Sequence, residues 1–162
     1  MTEQQIHLLP FYTGWDAYQA LLIEAIAPLS SEQLALRVAP HLRSIGENAA
    51  HIISGRVGNF HLLMGEGSAE LAPLEQWDVP GATPRIAAEL VSGLEATWQM
   101  IHTALARWTP ANLDDVFTEE QDEQTYSYTR QSIIWSTIKH DLHHGGEVSF
   151  TLGTYHLEAL DL

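Results

Sequence analysis

Apolar and aromatic residues return at steps of three and four through most of this chain. From about Pro10 they fall at Phe11, Trp15, Tyr18, Leu22 and Ile26, one stripe of a helix that ends near Pro28. Pro10 suits a first helical turn and Pro28 an exit. After the connector PLSSEQLALRVAP, a second helix is expected from about His41 to Met64, with Leu42, Ile45, Ala49, Ile52, Phe60 and Leu63 on one face and GEGS at its end. Residues 65–82, which hold Pro73, Pro80 and Gly81, read as a loop. Thr83 before Pro84 reads as the N-cap and first-turn proline of a third helix, striped at Ile86, Leu90, Leu94, Trp98, Ile101 and Leu105 and reaching about Trp108. The segment TPANLDDVFTEEQDEQTYS is acidic and aperiodic, so it is expected to be a long connection. The last helix should begin near Tyr128, carry Ile133, Ile134, Ile138, Leu142, Val148 and Leu152, and stop at Gly153. Four amphipathic segments and no convincing alternating strand predict an all-α fold, a four-helix bundle in a single domain over residues 1–162.

Composition narrows the chemistry. The formal charge is −14, from 7 Lys and Arg against 21 Asp and Glu, with no basic cluster. Such a surface repels a phosphate backbone and an anionic bilayer alike, which argues against nucleic-acid and membrane partners. No window approaches the roughly 18 apolar residues of a membrane span, and the start, MTEQQIHLLPFYTGWD, reads as a cytoplasmic terminus rather than a secretory leader. Without cysteine, any metal must be held by histidine, carboxylate or water.

The stretch KHDLHHGGE, residues 139–147, carries the candidate chemistry. With nine histidines in 162 residues, a pair four apart arises by chance roughly 0.5 times per chain, so the spacing alone is weak. Direction adds to it. At 3.6 residues per turn, His140 and His144 lie about 40° apart, with Thr137, Glu147 and Thr151 on the same stripe and His143 on the flank, beside the apolar face. On the second helix His51 shares a face with Ser44, Asn48, Gly55 and Gly58, where small and polar residues would leave a cleft; the plain alternative is a solvent face. Gly145 and Gly146 either end the helix or admit a close neighbour, and EVSFTLG keeps helical spacing beyond them. Arg56 lies inside the apolar stripe, where a buried arginine usually forms an ion pair. Trp15, Trp77, Trp98 and Trp135 read as core or dimer-interface residues.

The order of these features resembles the DinB-like proteins, a family named for a DNA-damage-inducible member. SEQLALRVAPHLRSIGENAAHI, and late in the chain YTRQSIIWSTIKHDLHHGGEVSFTLG, carry the likeness. It implies a four-helix bundle with a long crossover, a homodimer, and a divalent metal on three histidines, which match His51, His140 and His144, leaving His143 as a non-ligand neighbour. Lys139, Gly145 and Glu147 depart from residues common around the metal in that family. Three neutral imidazoles leave coordination positions for water or substrate, as catalytic sites do, and suit zinc or nickel rather than magnesium or calcium.

Several functions follow from that implication. The first is a metal-dependent enzyme transferring a low-molecular-weight thiol of the bacillithiol or mycothiol type to a small-molecule electrophile. A carboxylate-bearing thiol would need a basic anchor, for which the chain offers Arg37, Arg43, Arg56 and Lys139. The others are a metal-dependent hydrolase with Glu147 as base, a dimeric stress-response protein with a structural metal, and a partner module without chemistry. Glu147, one turn past His144, could orient a ligand, act as a base, supply a fourth ligand, or be a solvated surface carboxylate.

Overall fold

The computed structural model describes residues 6–161. The first five residues, part of the segment read above as a cytoplasmic terminus, and Leu162 lie outside them. The chain is mostly helical: α1 (Thr13–Ile26), a one-turn α2 (Ser31–Leu34), α3 (Ile45–Arg56), α4 (Ala87–Arg107) and α5 (Arg130–Thr154). α3 widens into a π-helical turn over Val57–Leu63, and 3-10 segments run over Ala69–Asp78 and Pro110–Asp114. Among the described residues no helix is long and apolar enough to cross a membrane.

Several boundaries differ from the periodicity, each for a local reason. α3 starts at Ile45 rather than His41 because Ser44 and Glu47 close a capping box: the Ser44 Oγ accepts from Glu47 N and the Glu47 carboxylate from Ser44 N. Leu42 therefore stands outside the helix and is 45% exposed. α4 starts at Ala87, after the Thr83-Pro84 pair, with the Glu89 carboxylate accepting from Ile86 N. Residues 69–78 are helical where a loop is expected. The acidic connection contains an antiparallel hairpin, β1 (Val116–Gln121) paired with β2 (Gln124–Thr129), so the fold is not purely α. α5 runs through Gly145 and Gly146 and past Gly153, ending where His156 turns left-handed at φ 59°.

Two apolar clusters fill the interior. One gathers Leu22, Ile26, Ile45, Ile52, Ile53, Leu90, Leu94, Val148 and Leu152; the other Trp15, Phe60, Met100, Ile101, Leu105, Trp108, Ile133 and Ile134. Buried polar residues from all four long helices bond to one another around Arg56 of α3: Gln19 from α1, Thr97 from α4 and Asp141 from α5. The most extensive helix pairing is α3 on α5, which carries this polar layer and, toward the first cluster, the histidines.

Candidate metal centre

α3 supplies His51, and α5 supplies His140 and His144 one turn apart. Their rings meet: Nε2 of His140 lies 3.0 Å from Nε2 of His51, and the three ring centroids are 4.3 to 4.6 Å apart. One nitrogen from each lies within 4.8 Å of the others, so the three could hold a metal ion. Gly55 makes this approach possible. A Cβ at that position would stand 2.6 Å from His140 Cε1, so the ring packs directly on the α3 backbone.

The outer nitrogens are tied down. His51 Nδ1 donates to Asp78 Oδ2 at 2.5 Å, and His144 Nδ1 donates to Glu147 Oε2 at 2.8 Å. A carboxylate can only accept from a ring N–H, so each bond fixes the tautomer that leaves Nε2 with its lone pair. Carboxylates behind the rings are the usual outer support of histidine metal ligands. His140 is driven down to about 4, first by burial and then by the neighbouring His51 and His144, so it is neutral at pH 7. Burial also lowers His144, against the opposing pull of Glu147. The donor set of imidazole nitrogens fits a divalent transition ion.

His143 is 67% exposed on its side chain, 3.6 Å from Glu147. With His144 and Glu147 it forms a second, more open group also close enough for an ion. Glu147 is 44% exposed on its side chain and lies against the outer nitrogen of His144.

Arg56 is not placed to anchor a cofactor. Its guanidinium is fully buried, with Nε at 2.9 Å and Nη2 at 2.7 Å from Asp141 Oδ2 and Nη1 at 2.7 Å from Gln19 Oε1. Trp15 Nε1 donates to the same carboxylate oxygen at 2.8 Å. The buried-pair alternative is the one the structure holds. Sequence reasoning missed Asp141, although an acid between Ile134 and Val148 on the α5 core face, opposite an arginine on the α3 core face, was a signal for it. It also missed Asp78, which no local pattern ties to His51. Of the tryptophans, Trp15 is buried and Trp135 is 62% exposed.

Comparison with known proteins bears on this arrangement. A family model described as the DinB superfamily matches residues 15–148, most of the chain and all three histidines. The chain belongs to the DinB superfamily. Two solved structures share the DinB fold seen here. A DinB-like protein from Bacillus cereus ATCC 10987 superposes with a TM-score of 0.67 at 18% identity, covering 98% of this chain and 99% of its own. A conserved protein from Enterococcus faecalis gives 0.62 at 18% identity, covering 84% and 89%. No curated protein matches the chain.

Proposed function

We propose that this DinB-superfamily chain is a metal-dependent enzyme whose His51, His140 and His144 hold one zinc or nickel ion through their Nε2 atoms. The observation that carries the reading is the convergence of three ring nitrogens, two of them backed by Asp78 and Glu147. An ion held there supplies an electrophilic centre that lowers the pKa of a thiol or water. Three protein ligands leave room for such a group, which supports catalysis over a closed structural site. Within the site, Asp78 and Glu147 keep the His51 and His144 rings oriented, and the part-exposed Glu147 is also placed to receive a proton. Transfer of a low-molecular-weight thiol to a small electrophile is the reaction we assign, in the cytoplasm. The four long helices are read as a four-helix bundle over one domain. The exposed Trp135 and Leu142 of α5 support a homodimer.

The test is metal content of untagged protein purified without metal affinity, followed by turnover with and without added thiol. Roughly one ion per chain is expected in the parent and in His143→Ala, with loss in His51→Ala, His140→Ala and His144→Ala. A parent that stays metal-free after incubation with zinc and nickel refutes the reading. Turnover that ignores thiol replaces transfer with hydrolysis on Glu147.

A further inference from the structure

Of the seven cations of this acidic chain, five are paired among the described residues, and Lys139 forms no ion pair there. Arg37 holds Leu42 O and Glu47, Arg56 holds Asp141, Arg85 holds Glu89, Arg107 holds Glu66 and Arg130 holds Asp115, all at hydrogen-bonding distance. Arg43 differs. Among the described residues its guanidinium has one polar contact, 3.5 Å to Asp78 Oδ2, and its side chain is 42% exposed. That oxygen already accepts from His51 Nδ1, so Arg43 stands one carboxylate away from the triad with most of its five donors uncommitted.

Arg43 lines a groove of about 410 Å³ between the start of α3 and the second half of α5. Val38, His41 and Leu42 line it from the segment before α3, and Glu147, Phe150 and Thr151 line it from α5, Glu147 being the residue bonded to His144. Asn48, one turn before His51, also lines it. Asn48 is 2% exposed and its Oδ1 finds no partner among the described residues. A buried amide oxygen left unpaired costs stability unless something donates to it. The volume suits a small molecule and nothing larger.

The geometry points to this groove as the substrate seat of the triad, with a small carboxylate-bearing molecule as its occupant. The carboxylate sits on Arg43, away from the like charge of Glu147; an N–H or O–H donates to Asn48 Oδ1; an apolar side lies against Leu42 and Phe150. The inference rests on the metal-enzyme reading for its role, while the binding itself uses none of the three histidines.

N-acetyl-L-leucine and N-acetyl-L-leucinamide test it, since they share the N–H and the apolar side and differ in charge. Their affinities are measured by calorimetry on the zinc-incubated parent, Arg43→Gln, Lys139→Gln and His140→Ala, with metal counted in each sample. The carboxylate is expected to bind the parent, Lys139→Gln and His140→Ala about tenfold more tightly than the amide, and Arg43→Gln should bind both alike. Equal or absent binding in the parent overturns the inference, as does a preference that survives Arg43→Gln. A preference lost in His140→Ala overturns it too, by placing the carboxylate on the ion. A metal-free parent that keeps the Arg43-dependent preference sinks the metal reading and leaves the groove. A metal-loaded parent without the preference does the reverse.

Discussion

Gly55→Ala separates the stability of the fold from the shape of the site. The added Cβ would lie 2.6 Å from Cε1, 3.0 Å from Nδ1 and 3.2 Å from Nε2 of His140. Carbon atoms rest about 3.5–4.0 Å apart, so the ring must retreat by roughly 1 Å. Two energies oppose each other. Alanine in a helix gains about 1 kcal/mol over glycine, and overpacking costs about 1–3 kcal/mol. The net lies between neutral and about 2 kcal/mol of destabilisation, or a Tm loss of no more than roughly 8 °C for a chain of this size. Metal affinity has no such compensation. Ligand distances tolerate about 0.2 Å, so a retreat of that size should weaken zinc binding by more than about tenfold. Competition with a chromophoric chelator reads the affinity, and melting of the chelated protein reads the stability. Gly58→Ala is the control, because a Cβ there meets nothing within 4 Å; it should leave affinity unchanged. Zinc binding in Gly55→Ala within about twofold of the parent would refute the account of why His140 needs a glycine beneath it.

Three further outcomes follow from the same geometry. Arg56→Ala should cost about 3–5 kcal/mol in urea unfolding by leaving Asp141 buried without its counter-charge, and pairing Arg56→Met with Asp141→Leu should cost less than either change alone. Asp78→Asn should keep the fold, since that side chain is 23% exposed, while metal affinity drops about 10–100-fold in chelator competition. The metal-free protein should lose stability as pH falls from about 6.5 toward about 4, because unfolded His140 takes up a proton that the folded one refuses until about 4; melts at pH 7 and pH 5 should show a smaller difference in His140→Gln.

The histidine face was legible in the sequence because helix geometry alone aligns His140 with His144, and because Gly55 stands on the His51 face. The continuity of α5 through Gly145 was legible too, though its cause was not: a Cβ there would run into Tyr18 Oη from α1, sixth-sense information for any one-helix reading, which sees no neighbour. The hairpin escaped for a different reason. Its strands are exposed on both faces apart from Phe117, so no apolar alternation marks them. Its turn uses Asp122 and Glu123 at φ 50° and 62°, where a sequence signal would need Asn-Gly or Asp-Gly. Asp78 meets His51 and Arg43 only through tertiary packing, which periodicity does not carry.

The polar layer has one more consequence, for how α5 is indexed against α3. Sliding α5 by one turn in either direction would bring Thr137 or Gly145 opposite Arg56 and strand its guanidinium in a dry interior, a loss of several kcal/mol. In the first direction the slip also carries Arg130 and His144 into the places of the buried Ile134 and Val148; in the second, Ile138 and Leu152 take those places and the apolar contacts object far less. Charge therefore sets the longitudinal alignment of the two helices, and the three histidines meet because a pair that never touches them holds the rungs level.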